Sequence, residues 1–415
     1  MRIKSFKFDD HRADWHLEET KFDAFNLLVG VSGVGKTKIL EALGRVCRVA
    51  TEAASRPGQI EWAIEFEHDG QSYRWEGRTE AVRGSGVMAA TLSLGQENGP
   101  VEIAREKIIC NGDDILVDRG ADQFVFDRAS MPALNRSLSA IYLLTDEEKI
   151  KPLARAFRFI LSSAGTSTRL ETDDASTVSA IDNIARTFLS RVASPQSADS
   201  TQYKLLFDTF RAGFMLGLLN PASDSDLGLE ARIPLFAYYT QEGFPEEFQR
   251  VRDLFISTFP STQDLKISWS SKVGGKASGF SLEFSIQEGG TSTWISQHDM
   301  SSGMLRTLVH LFELSLAPPG SVIIIDEFEN SLGVNCMQEL TDFIMSRAPD
   351  LQFILTSHHP YVINKIPPET WKLVTRKGGR VRVLSAKDIP SLQKVSHQQA
   401  FIRLINLPEF EEGIS

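Results

Sequence analysis

Leu27-Leu-Val-Gly-Val-Ser-Gly-Val-Gly-Lys-Thr-Lys-Ile-Leu40 is the stretch on which the fold turns. An apolar run, Phe25 to Val29, breaks at Gly30, and a helical pattern opens at Lys36. Between them lies G-x-x-x-x-G-K-T, with Gly30, Gly35, Lys36 and Thr37 at its defining positions. Consecutive backbone N–H groups of a tight loop must turn inward around phosphate oxygens, and glycine permits that conformation and that close approach. The following helix adds the positive end of its dipole. Lys36 can neutralise the β- and γ-phosphates, and the Thr37 hydroxyl can ligate Mg²⁺. The nucleotide-contacting set is Gly30, Ser32, Gly33, Val34, Gly35, Lys36, Thr37 and Lys38, with ATP and Mg²⁺ as the bound groups.

A chain of 415 residues suggests two or three domains, or one core domain with a large insertion. With 42% hydrophobic and 24% charged residues it has the makings of an ordinary soluble core. No apolar span of about 18 residues is present, and Met1-Arg-Ile-Lys4 lacks the apolar stretch of a signal peptide. Cys47, Cys110 and Cys336 are odd in number, far apart and without metal spacing, so the expected location is a reducing cytoplasm. The net charge of −10 argues against a generally basic nucleic-acid binder.

Working outward, Ile3, Phe6 and Phe8 read as a first strand, and the helix after Lys36 runs to about Val49. Alternating runs at 60–67 and 72–78, joined by Asp69-Gly70, predict a hairpin. Residues 79–100 read as a loop, and short antiparallel strands follow at 107–110, 115–118 and 123–127. Thr145-Asp-Glu-Glu148 has the form of a capping box opening a helix through about Ser162. Further helices are expected over about 176–192, 200–219 and 246–258, with no sustained heptad. Strands return at 266–270 and 280–287, and a helix covers 305–316. Ser321–Ile325 and Gln352–Thr356 are continuous apolar runs of the kind buried in parallel sheets. The domains expected are 1–130 and 266–375 as two parts of one ATPase domain, 131–265 as a helical insertion, and 376–415 as a tail.

Ile323-Ile-Ile-Asp-Glu327 is the partner a phosphate loop needs. Asp326, at the end of a buried strand, can complete the Mg²⁺ shell with Thr37, and Glu327 can orient and polarise the attacking water. With these residues in place the chain resembles the ABC-type ATPases, and three more motifs carry the resemblance. Met300-Ser-Ser-Gly-Met304 is similar to the signature motif, whose serine and glycine, here Ser301 and Gly303, bind the γ-phosphate held by the other subunit. Met304 departs from the Gln or Glu of many members. Glu329-Asn-Ser-Leu332 falls at the D-loop position, and Thr356-Ser-His358 matches the switch histidine, with His358 favoured over His359 by spacing. Gln123 is a weak candidate for the Q-loop. The fold implied is α/β, an ABC-type P-loop ATPase with an antiparallel β subdomain and a helical insertion.

Asp326-Glu-Phe-Glu-Asn330 with Ser357-His-His-Pro360 looks like the SMC/RecF-like, overcoming-lysogenisation-defect group rather than a transporter subunit. Full-length members of that group add a Toprim nuclease domain. About 55 residues follow His358, too few for one, so any nuclease is expected on a separate chain. Stand-alone ATPases of this size resemble those of anti-phage systems of the PARIS or Septu type. The resemblance thus implies a homo-oligomer, at least a dimer, that responds to a phage-derived trigger and controls a separately encoded effector, with no membrane partner. The alternative is a RecF/SMC-like DNA-repair ATPase binding duplex DNA. Its local support is the basic stretch Lys372 to Arg382, which reads as a hairpin around Gly378-Gly379. An exposed tail after Leu384, with Phe401, Leu404 and Leu407 on one helical face, offers a platform for a partner.

Overall fold

The computed structural model describes residues 1–53, 57–82, 101–132, 134–162, 170–172, 178–179, 181, 183, 200–215, 229–271, 280–330, 332–393 and 395–411. The chain divides into two compact units, one of Met1–Ser162, Gly320–Phe328 and Ala348–Ser415, the other of Ser163–Pro319 and Glu329–Arg347. Residues 131–162 therefore fold with the first unit and 266–319 with the second.

The first unit is built on one mixed sheet, whose strands are numbered here along the chain. Its parallel part runs β10 (Ile160–Ser162), β15 (Val322–Ile325), β16 (Gln352–Thr356), β3 (Phe25–Val29), β17 (Trp371–Lys377). β3, β15 and β16 are buried at every residue, which explains why their sequences are mostly apolar. β17 turns back into β18 (Arg380–Ser385), and β18 pairs in parallel with β2 (Trp15–Lys21). From there the sheet is antiparallel: β1 (Arg2–Asp10), β4 (Ile60–His68), β5 (Gln71–Ala81), β6 (Val101–Cys110), β7 (Asp114–Arg119), β8 (Phe124–Phe126), β9 (Ala129–Ser130). Asp69 and Gly70, both at positive φ, form the expected β4–β5 turn.

The basic stretch is thus a hairpin, as its sequence suggests, but an internal one that joins the two parts of the sheet. Lys372 is 3% exposed and bonds Asp23 at 2.9 Å, and Arg382 lies 3.8 Å from Glu18.

Helix α1 (Lys36–Thr51) buries Ile39, Leu40, Leu43, Val46 and Val49, an apolar stripe at helical spacing, and packs against α2 (Ala140–Leu143) and α3 (Lys151–Arg158). Phe157 of α3 meets Phe66 and Trp75 edge-on, each at 5.2 Å between ring centres. The capping box at Thr145 does not open a helix. Residues 144–150 form turns, Ser139 caps α2 instead, and α3 begins at Lys151 with Pro152 in its first turn. Residues 160–162, expected as the end of that helix, are the edge strand β10.

The C-terminal segment is docked, not exposed as expected. Beyond α9 (Pro360–Lys365), α10 (His397–Ile405) packs on α9 with Ala400 and Leu404 at 0% and 1% exposure. Of its apolar residues, Ile402 and Ile405 stand exposed.

In the second unit β13 (Phe280–Glu288) pairs antiparallel with β11 (Leu170–Thr172), β12 (Thr262–Ser271) and β14 (Trp294–Ser296). The helices are α4 (Ser200–Met215), α5 (Leu229–Gly243), α6 (Pro245–Thr258), α7 (Ser302–Leu316) and α8 (Val334–Arg347). Phe207, Phe210, Phe214, Phe236 and Phe244 stack into its aromatic core. α5 escapes a sequence reading because Pro234 interrupts its pattern. Most of the helix expected over 176–192, and loop residues 83–100, lie outside the described residues.

Candidate active site

The loop after β3 is shaped by contacts that only glycine tolerates. At Gly30, φ is 150°, and a Cβ there would lie 2.6 Å from the Val374 carbonyl oxygen of β17. Gly35 caps α1 in a left-handed conformation, φ 104°, where the buried Trp15 indole leaves little room for a side chain. Val34 is fully buried, so its side chain belongs to the core and its loop role is confined to the backbone. Ser32, Gly33, Thr37 and Lys38 are exposed. Lys36 is 5% exposed, and its Nζ donates to the carbonyls of Gly30 at 2.7 Å and Val31 at 3.0 Å. Its ammonium therefore lies within the loop rather than out in solvent, beside the first N–H groups of α1.

Parallel strands deliver the acidic pair to the same edge of the sheet. Ile325 of β15 pairs with Leu355 of β16, so Asp326 is level with Thr356. The Oδ1 of Asp326 accepts from Thr37 Oγ1 at 3.2 Å and from Thr356 Oγ1 at 2.5 Å. Glu327 is exposed and takes a left-handed backbone conformation, φ 45°. Its N–H donates to Thr356 Oγ1 at 2.7 Å, and the N–H of buried Phe328 donates to the Thr356 carbonyl at 3.0 Å.

The two histidines after β16 differ in use. His359 caps α9, its Nδ1 accepting from Tyr361 N–H at 3.2 Å, while its own N–H donates to Ser357 Oγ. His358 is exposed at the end of the strand. His359 is thus held as a structural helix cap, while His358 differs from it in being exposed.

Thr37, Asp326, Glu327 and His358 are brought to the phosphate-loop edge of one unit. The donor set fits Mg²⁺ and ATP: a hydroxyl and a carboxylate, both hard oxygen ligands, converge beside a lysine and a helix N-terminus. Among the described bonds none falls on Asp326 Oδ2, which leaves that oxygen for a cation. In the second unit Ser301 caps α7, its Oγ accepting from Met304 N–H at 3.2 Å, with Ser301 and Ser302 exposed. Glu329 and Asn330 precede Ser331, which lies outside the described residues. Gln123 sits in the exposed β7–β8 turn, and no described hydrogen bond of its side chain ties it to the phosphate loop.

A protein-family model described as "AAA domain, putative AbiEii toxin, Type IV TA system" matches residues 155–364, just over half of the chain. The chain belongs to that family. The match takes in Ser301, Gly303, Asp326, Glu327 and His358 of this AAA-domain protein and begins after its phosphate loop. Among solved structures it is similar to an Smc head domain with an extended coiled coil, bound to the C-terminal domain of ScpA, from Pyrococcus furiosus. The identity is 13%, covering 98% of this chain and 99% of that one, with a TM-score of 0.45. An SmcHead bound to the C-winged helix domain of ScpA gives 12% identity over 93% and 98%, TM-score 0.44. The SMC head domain of Thermotoga maritima gives 11% over 93% and 99%, TM-score 0.40. No curated protein sequence matches.

Thr356 is the site residue that the sequence reading passes over. Its signal is a hydroxyl following the apolar buried residues Phe353, Ile354 and Leu355, level with Asp326 in strand register.

Proposed function

We propose that this AAA-domain chain is an ABC-type ATP hydrolase that works in the cytoplasm as an oligomer, at least a dimer. In anti-phage defence it controls a separately encoded effector of the nuclease class. The catalytic part rests on one observation, the hydrogen-bonded cluster of Thr37, Asp326, Glu327 and Thr356. The loop N–H groups and Lys36 hold the phosphates, and Thr37 and Asp326 would hold Mg²⁺, which neutralises charge on the β- and γ-phosphates when bound. Glu327 accepts a proton from the water that attacks the γ-phosphorus, and the β–γ bridging oxygen leaves with ADP. His358 contacts the γ-phosphate, and Ser301 and Gly303 of a second copy close on it.

The defence role rests on the resemblance to stand-alone defence ATPases, and a family description naming a toxin of a toxin–antitoxin system fits it. The duplex-DNA reading loses part of its support, because Lys372 is buried in an ion pair and Arg382 faces Glu18. Two variants test the catalytic assignment. Lys36→Ala should lose ATP binding, while Glu327→Gln should bind ATP and stall, keeping the ATP-bound assembly and its co-purifying effector together. Equal ATP affinity for Lys36→Ala and the native protein, or unchanged turnover for Glu327→Gln, would overturn it. Tight duplex-DNA binding at physiological salt with no co-purifying chain would replace the effector reading with the repair one.

A further inference from the structure

We infer that Thr356 is the positioning residue for the acidic pair: its single hydroxyl sets Asp326 and Glu327 at once. The inference rests on the ATPase reading above. Thr356 is 1% exposed at the end of a strand whose preceding residues Phe353, Ile354 and Leu355 are apolar and buried. A parallel-sheet interior favours valine at such a place, and a buried hydroxyl is costly unless it is bonded. Here the hydroxyl is used in both directions. It donates to Asp326 Oδ1 at 2.5 Å and accepts the Glu327 N–H at 2.7 Å.

The second bond matters because Glu327 is a non-glycine residue at φ 45°, a conformation that L-residues hold only when something fixes it. The neighbouring Phe328 N–H is fixed separately, by the Thr356 carbonyl at 3.0 Å. Thr356 also stands two residues before His358, so one strand end carries both the support of the acidic pair and the histidine. Thr37 donates to the same Asp326 oxygen from a longer 3.2 Å, which leaves Thr356 as the nearer of the two described donors.

The test compares Thr356→Val, which keeps the shape and removes the hydroxyl, with Thr356→Ser, which keeps the hydroxyl. For Thr356→Val, kcat should fall roughly 10- to 100-fold while ATP affinity stays within about 3-fold of native; Thr356→Ser should recover most of the rate. Amide hydrogen exchange on the nucleotide-free protein supplies a readout independent of turnover. In Thr356→Val the Glu327 amide should exchange faster while the Phe328 amide, held by a backbone carbonyl, does not change. A native rate in Thr356→Val, no recovery in Thr356→Ser, parallel loss of ATP affinity and turnover, or an unchanged Glu327 amide would each overturn the inference. A native protein that hydrolyses no ATP would sink the ATPase reading alone, since the exchange measurement still decides whether the hydroxyl holds Glu327.

Discussion

Asp10 and Asp23 are two carboxylates that brace the strands around the nucleotide loop. Burial pulls the Asp10 carboxyl up, but the hydrogen bond from Arg45 on α1, with those from the Ala13 and Arg12 N–H groups, outweighs it and holds the group below its usual range. At Asp23 burial is outweighed in the same way by Lys372 and Lys387. A carboxyl whose pKa is depressed on folding contributes stability above its unfolded pKa of about 4 and loses it as pH falls through the folded value. Asp10→Asn should therefore unfold at lower urea than the native protein near pH 7, and the gap should close as pH is taken towards about 3. A gap independent of pH would mean that Arg45 does not stabilise the ionised form. At this scale the sequence is legible where chemistry demands a fixed spacing, as for Lys36, Thr37, Asp326 and Glu327. It is illegible where one threonine among many is set apart only by what lies level with it on the next strand, as for Thr356.

Elements are legible to the extent that their burial pattern runs without interruption. β3, β15 and β16 announce themselves because both faces are covered. β2 does not, because buried Trp15, Leu17 and Thr20 are diluted by His16, Glu18 and Glu19. α10 shows the same ambiguity from the other side, since its apolar residues point both inward and outward. Leu404 is buried within the first unit, so Leu404→Ala should cost roughly 2–5 kcal/mol in chemical denaturation. Ile402, at 49% exposure, should tolerate serine within about 0.5 kcal/mol. Matching losses at both positions would show that α10 is covered on its outer face as well. Removing residues 390–415 would strip Leu392, Ala400 and Leu404 from the first unit, so that deletion cannot serve as a clean test of an effector platform.

At the scale of the whole molecule, the phosphate loop and the candidate signature belong to different compact units, and the proposed site joins one copy's loop to another copy's Ser301 and Gly303. Neither Lys36→Ala nor Gly303→Arg should hydrolyse ATP alone. Mixed together they should recover some activity, because a hybrid dimer contains one intact composite site. Absence of recovery in a mixture shown to form hybrid dimers would remove the shared-site arrangement, as would native hydrolysis that stays proportional to protein down to monomer concentrations.

The place of β3 in the sheet also bears on how the protein is made. Its two neighbours, β16 and β17, are translated more than three hundred residues later. During synthesis the apolar segment Phe25–Val29 therefore leaves the ribosome long before either strand that will cover it exists. Pairings this distant in sequence form slowly and leave a nascent chain open to aggregation. The phosphate loop can therefore take its final shape only after β16 and β17 have been made, and until then the segment is open to chaperones.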